Sequence, residues 1–95
     1  MRLSPEISSA IKKRFLQSIP NAEVFLFGSR AVDSAKGGDI DLLLLTEERI
    51  ALPVIQKTRR LILNDIGEQR LDIVNFQKSQ SHPFKALILE SAIRL

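Results

Sequence analysis

The sequence has no cysteine, tryptophan or tyrosine, and its single histidine is His82. Without cysteine the chain can form neither a disulfide nor a thiolate metal site. One histidine also excludes a zinc site built from several histidines. Any metal ion must therefore be held by oxygen ligands, which is the chemistry that suits magnesium or manganese.

Long apolar runs and a strong local charge are also missing. Runs such as 42–45 are far too short to cross a bilayer, and residues 1–10 lack the apolar segment of a signal peptide. The net charge of +3 is dispersed, and its densest cluster, Lys12, Lys13 and Arg14, predicts a solvated helix face. A nucleic-acid partner is therefore not expected. We expect a cytoplasmic protein with no membrane segment.

What is present is the composition of an ordinary globular domain, with 44% hydrophobic and 26% charged residues. Ninety-five residues allow one domain, and we assign all of 1–95 to it. Hydrophobic periodicity predicts three helices and three strands in this domain. The predicted helices cover 5–18, 49–66 (beginning near Leu52, because Pro53 suits only a first turn) and 83–93, and the predicted strands cover 22–27, 39–46 and 70–76.

Two aspartates at the start of the second predicted strand carry the chemical signal. Side chains at i and i+2 of a strand point to the same face, about 6.6–6.8 Å apart along the chain. Asp39 and Asp41 therefore project together. Two like charges on one face repel unless a positive charge lies between them. A divalent metal ion is the candidate for that charge.

A Gly-Ser turn precedes this pair, separated from it by nine residues. Gly28 ends the first predicted strand, and its missing side chain lets backbone N–H groups approach phosphate oxygens. Ser29 adds a hydroxyl donor, while Arg30 and Lys36 lie where they could neutralise phosphate charge. A phosphate-binding turn beside a carboxylate pair indicates nucleotidyl transfer from a metal–triphosphate complex.

Asp72 completes the set, since it interrupts the otherwise apolar third strand. An isolated charge there is unfavourable without a partner. We expect Asp72 to bind the ion that activates the attacking hydroxyl, or to accept the proton of that hydroxyl. The predicted face of this strand carries Asp72, Val74 and Phe76, with Leu71, Ile73 and Asn75 on the other.

Gly28-Ser29-Arg30, then Gly38-Asp39-Ile40-Asp41-Leu42, with Asp72 on a later strand, resembles the DNA polymerase beta-like nucleotidyltransferase superfamily. The short length resembles its minimal nucleotidyltransferase (MNT) branch. The resemblance implies the α+β nucleotidyltransferase fold, in which helices pack against a small mixed sheet. It implies that Asp39, Asp41 and Asp72 bind magnesium. It also implies that Gly28 and Ser29 hold the triphosphate of the incoming nucleotide.

The resemblance further implies a partner. MNT proteins are typically encoded beside a HEPN-domain toxin and act as its antitoxin in a type VII-like toxin–antitoxin pair, by transferring AMP from ATP to a tyrosine of the toxin (AMPylation). Because these 95 residues contain no tyrosine, such an acceptor must lie on another chain. The final predicted helix, which is apolar nearly all round, also predicts contact with a partner chain.

Two alternatives stay open. The altered run after Arg30, which lacks the second arginine and the glycine of many relatives, favours a non-catalytic antitoxin that neutralises its toxin by covering it. A small-molecule nucleotidyltransferase acting as a homodimer is the other, although such enzymes usually carry an additional helical domain.

Overall fold

The computed structural model describes residues 3–28 and 39–95. These residues form, in chain order, α1 (Pro5–Ser18), β1 (Glu23–Phe27), β2 (Ile40–Thr46), α2 (Leu52–Ile66), β3 (Leu71–Gln77), α3 (Pro83–Leu89) and β4 (Ile93–Arg94). The strands make one sheet in the order β3-β2-β1-β4, in which β2 and β3 are parallel and the other neighbours are antiparallel. The predicted α+β architecture with a mixed sheet is confirmed.

The helix boundaries follow from local chemistry. The Ser4 hydroxyl accepts a hydrogen bond of 3.2 Å from the Ile7 N–H and so caps α1, which spans the predicted residues. The second helix begins at Leu52, because Pro53 is accommodated only in the first turn. His82 caps α3 by accepting from the Phe84 N–H at 3.1 Å. None of the helices in the described ranges has the length and apolarity needed to cross a bilayer.

The sheet has a hydrophobic cluster on each face. The larger cluster joins α1 and α2 to the sheet, and its fully buried members are Ile11, Leu26, Ile40, Leu42, Leu44, Ile62 and Leu71, with Phe15 almost as deeply buried. The smaller cluster joins α3 to the opposite face through Ile88, Leu43 and Leu45. Strand β2 supplies both clusters by alternation, which explains why its second half is continuous leucine.

The cluster of Lys12, Lys13 and Arg14 predicts a solvated helix face. Arg14 departs from this prediction, because it pairs with a residue of α2. Its Nε donates to Oδ2 of Asp65 at 2.6 Å and its Nη2 donates to Oδ1 at 2.9 Å. This fork–fork pair joins α1 to α2 over the larger cluster. The pattern of one helix could not reveal it, because the two residues are 51 positions apart.

The final helix was predicted too long. It ends at Leu89 rather than Ile93, and Ile93–Arg94 forms β4 instead. Ile93 pairs with Leu26 of β1. The backbone of β1 would otherwise be an unpaired edge, and the chain end satisfies it. The shorter helix still carries exposed apolar side chains, with Leu87 62% exposed.

Candidate active site

Strand register places two of the predicted site residues side by side. Asp41 of β2 lies directly opposite Asp72 of β3 in the parallel pair. Asp39 comes one residue before β2, so it lies on the same face as Asp41. The start of the pair is fixed by a 2.9 Å hydrogen bond from the Ile40 N–H to the Arg70 carbonyl. The structure therefore brings all three carboxylates to one end of the sheet.

The carboxylates lie on the face that α3 covers further along the strands. Ile40 and Leu42, which alternate with them, are fully buried in the opposite cluster beneath α1 and α2. The side chains of Asp39 and Asp72 are 48% and 53% exposed, while Asp41 is partly buried between its neighbours. The group is thus open to solvent and to a large ligand.

Gly28 packs directly against the Asp41 carboxylate. It follows β1, whose last residue, Phe27, pairs with Asp41 across the antiparallel ladder. Its φ is +72°, in the left-handed region that favours glycine. A Cβ placed on Gly28 would lie 3.3 Å from the Cγ of Asp41 and closer still to its Oδ2. A side chain at this position would therefore force the Asp41 carboxylate to move.

The other predicted nucleotide-binding residues, Ser29 and Arg30, lie outside the described residues, as does Lys36. Their part in holding a triphosphate stays a prediction. The described part of the turn is Gly28, which follows β1 and lies beside Asp41.

Arg70 belongs to the site although the motif analysis did not select it. Its Nε lies 3.7 Å from Oδ2 of Asp72 and 3.8 Å from Oδ2 of Asp39. The guanidinium therefore bridges carboxylates that come from neighbouring strands. The sequence held a signal for it, because Arg70 stands two residues before Asp72 as Asp39 stands two before Asp41. The rule that places the aspartates together also places this arginine with them.

The electrostatics of Asp41 reflect this crowding. Its pKa is raised above the usual value for aspartate, first by burial, then by the negative charges of Asp72 and Asp39, while Arg70 acts in the opposite direction. Both carboxylates thus lie close enough to disfavour ionisation of Asp41. A further positive charge at this place would stabilise the ionised form of all three.

The donor chemistry fits a hard divalent cation. Every acidic group at the site offers carboxylate oxygens, which are the ligands preferred by magnesium and manganese. Across residues 3–28 and 39–95, no three acidic, histidine or cysteine side chains already stand in a coordination geometry. Here the carboxylates of Asp39 and Asp72 contact Arg70 instead.

Two polar side chains, Arg59 and Asn75, hold β3, and therefore Asp72, in register. Arg59 of α2 donates through Nε to the Leu71 carbonyl at 2.8 Å, next to Asp72. Asn75 accepts from the Ile50 N–H at 2.9 Å and donates to the Leu44 carbonyl at 3.0 Å. These side chains fix the strand to α2 and to the segment before it, so the carboxylates are presented from a rigid support.

An aromatic group extends from the site along the same face. Phe84 of α3 contacts Phe27 and Phe76 edge-to-face, with ring centroids 6.4 Å apart in both pairs. Phe76 also contacts His82, at 4.9 Å. Since Phe27 pairs with Asp41, this apolar surface begins beside the carboxylates. Phe84 remains 43% exposed.

The fold and the acidic strand ends together define the class of protein. The nucleotidyltransferase domain family matches residues 6–95, which is nearly the whole chain. The chain therefore belongs to the nucleotidyltransferase domain family. This confirms the predicted resemblance to nucleotidyltransferases. No match was found among curated proteins.

Solved structures share this fold. One contains a mutant of the toxin–antitoxin pair MntA–HpeT; the TM-score is 0.72 at 19% identity, and the match covers 93% of this chain and 69% of that chain. Another contains the tri-AMPylated HEPN toxin of Shewanella oneidensis in complex with MNT antitoxin; the TM-score is 0.70 at 18% identity, with 93% and 67% covered. The predicted nucleotidyltransferase fold is thereby confirmed.

Proposed function

We propose that this protein is a metal-dependent protein adenylyltransferase, which transfers AMP from ATP to a tyrosine of a HEPN-type toxin and so acts as its antitoxin. The observation that carries the proposal is the meeting of Asp39, Asp41 and Asp72 on one sheet face beside Gly28. Membership of the nucleotidyltransferase domain family supports the reaction class. A structural neighbour that holds a tri-AMPylated HEPN toxin supports the acceptor.

The residues of this chain have distinct parts in such a transfer. Asp39, Asp41 and Asp72 would hold magnesium, or manganese, and the bound ion would neutralise charge on the phosphate oxygens. Gly28, Ser29 and Arg30 would grip the triphosphate from the side of β1. The acceptor hydroxyl oxygen forms a bond to the α-phosphorus as the bond to pyrophosphate breaks. The hydroxyl proton passes to a carboxylate, for which Asp72 is the most exposed candidate.

The acceptor is expected from another chain. The carboxylates of Asp39 and Asp72 are about half exposed, so a protein side chain can reach them from solvent. The exposed apolar residues of α3, among them Phe84 and Leu87, would contact the partner on the same face. We place the reaction in the cytoplasm, where ATP and a ribonuclease toxin would meet.

The test is a mass measurement on the complex. The protein is purified with a candidate HEPN-domain partner, incubated with magnesium and ATP, and the partner's intact mass is recorded. We expect a gain of one or more adenylyl groups, absent when magnesium is chelated and absent in the double variant Asp39→Asn with Asp41→Asn. Glu6→Gln is the matched control, because Glu6 is exposed on α1, away from the acidic face. A mass gain that survives in the double variant would contradict the proposal.

A second candidate is an antitoxin that neutralises its partner by binding alone. The exposed apolar residues of α3 favour this candidate, because a partner could bind to them without any reaction at the acidic site. The double aspartate variant separates the two functions in cells that express the toxin. Full protection by this variant would favour binding, whereas loss of protection with retained complex formation would favour transfer. A homodimeric small-molecule transferase has no comparable observation in its favour.

A further inference from the structure

Arg70 has a backbone that is held in the sheet and a guanidinium that is exposed to solvent. Its carbonyl accepts the 2.9 Å hydrogen bond from Ile40 that starts the β2–β3 pair, so its Cα is fixed at the edge of the acidic group. Its side chain is 73% exposed. The guanidinium can therefore move while the residue stays in place.

The contacts that Arg70 makes are long. Its nearest approach to either carboxylate is through Nε, at 3.7 Å from Oδ2 of Asp72 and 3.8 Å from Oδ2 of Asp39, and both distances exceed that of a hydrogen bond. The pair of Arg14 with Asp65 shows what this chain does when it fixes an arginine, with two hydrogen bonds of 2.6 and 2.9 Å. The bridge by Arg70 is therefore an electrostatic contact without a hydrogen bond, and it is more easily broken than the pair of Arg14 with Asp65.

A divalent ion at these carboxylates would repel the Arg70 guanidinium. Magnesium binds carboxylate oxygens at about 2.0–2.1 Å, so an ion between Asp39 and Asp72 would lie within a few ångströms of the present Arg70 head group. Unit charges about 4 Å apart interact by about 1 kcal/mol even in water, and an ion of charge +2 doubles that repulsion. Because the guanidinium is exposed, it has room to move away from an ion bound here.

We propose that Arg70 is a displaceable stand-in for the divalent ion, which neutralises the carboxylates of Asp39 and Asp72 in the metal-free protein and moves away when an ion binds. The proposal rests on the proposed function, because it takes these carboxylates as the metal site. It assigns to Arg70 two effects of opposite sign. Arg70 stabilises the metal-free fold by relieving repulsion between the carboxylates of the two strands, and Arg70 weakens metal binding by competing for the same oxygens.

The first test measures Mn²⁺ affinity of the whole chain by electron paramagnetic resonance of the free ion. Arg70→Gln is expected to bind Mn²⁺ roughly three- to tenfold more tightly than the wild type at low salt, with the gain shrinking as salt rises. Arg70→Lys, which keeps the charge, should remain near the wild type. Arg60→Gln is the matched control, since it removes one positive charge from the exposed side of α2 and should leave the affinity unchanged.

An unchanged or weaker affinity in Arg70→Gln, with wild-type binding intact, would overturn the proposal while leaving the metal site in place. A different result would remove the proposed function as well. If Asp41→Asn with Asp72→Asn binds Mn²⁺ as tightly as the wild type, the carboxylates are not the site, and both ideas fail together.

Thermal unfolding gives a second readout that does not depend on activity. In the presence of a chelator, Arg70→Gln should unfold at a lower temperature than the wild type, because the carboxylates then repel without compensation. Saturating Mn²⁺ should close that gap, since the ion replaces the guanidinium. A deficit of the same size with and without Mn²⁺ would mean that Arg70 is structural, and the stand-in role would be rejected.

Discussion

Replacing Gly28 with alanine tests how closely the turn after β1 controls the acidic site. The left-handed φ of +72° is unfavourable for alanine by about 1–2 kcal/mol. The new Cβ would also lie 3.3 Å from Cγ of Asp41 and in collision with its Oδ2. Asp41 is held on both sides by strand pairing, so its backbone cannot retreat and its carboxylate must rotate, which adds roughly 0.5–1.5 kcal/mol. The substitution therefore disturbs a proposed metal ligand as well as the fold.

Gly67 provides the matched control for this prediction. Its φ of +93° and ψ of 167° are also unfavourable for alanine, by roughly 1–3 kcal/mol, but a Cβ there meets nothing within 4 Å. Both alanine variants should lose stability in urea unfolding. In thermal unfolding, their melting temperatures should fall by about 4–8 °C per kcal/mol of lost stability. Only Gly28→Ala should also lose Mn²⁺ affinity and adenylyl transfer. Equal Mn²⁺ affinity in the two variants would refute the argument that Gly28 is needed by the Asp41 carboxylate.

Two further predictions concern stability. Burial and neighbouring carboxylates raise the pKa of Asp41 in the folded state, so ionisation of Asp41 destabilises the fold above that pKa. At pH 7 in chelator, Asp41→Asn should therefore unfold at a higher temperature than the wild type, and this advantage should disappear as the pH falls below the pKa of Asp41 in the unfolded chain. The same variant should reduce transfer by about 100-fold or more. Asp65→Asn is the control of opposite sign. The hydrogen bond from Arg14 lowers the pKa of Asp65, so the stability that ionised Asp65 contributes is lost as the pH falls through that lowered pKa. Opposite signs in the pH profiles of the two variants support the assignment, and a common sign would contradict it. Asn75→Ala should lower the free energy of unfolding by about 1–3 kcal/mol, since it leaves the Ile50 N–H without its acceptor, and urea unfolding that shows no loss would contradict that role.

Much of the site geometry could be predicted from the sequence because strands obey a short, rigid period. Asp39 and Asp41 share a face by that period alone, and Asp72 interrupts an apolar strand where only a partner could justify it. The predicted division of β3 into two faces also holds, since Leu71 and Ile73 join the larger cluster and Phe76 the smaller. Local alternation was sufficient for these features.

The features that were missed depend on contacts between distant segments. A strand as short as Ile93–Arg94 has no period to detect, and its pairing with β1 is set by the unpaired edge that the chain end happens to reach. Arg14 and Asp65 meet only because α1 and α2 pack side by side. Arg70 differs from these, because an arginine is not a metal ligand and so carries no ligand signal, although the same strand period places it among the acids.

The exposure of the acidic face bears on how the proposed transfer would exclude water. Adenylyl transfer needs water to be excluded from the reacting phosphorus, yet Asp39 and Asp72 stand about half exposed. The apolar surface that begins at Phe27 and continues to Phe84 lies on the same side of the sheet. A partner seated on that surface would cover the carboxylates as it presents its acceptor. Under the proposed function, then, complex formation and closure of the site are one event, and Phe84→Ala should lower partner affinity and the transfer rate together while leaving Mn²⁺ affinity unchanged.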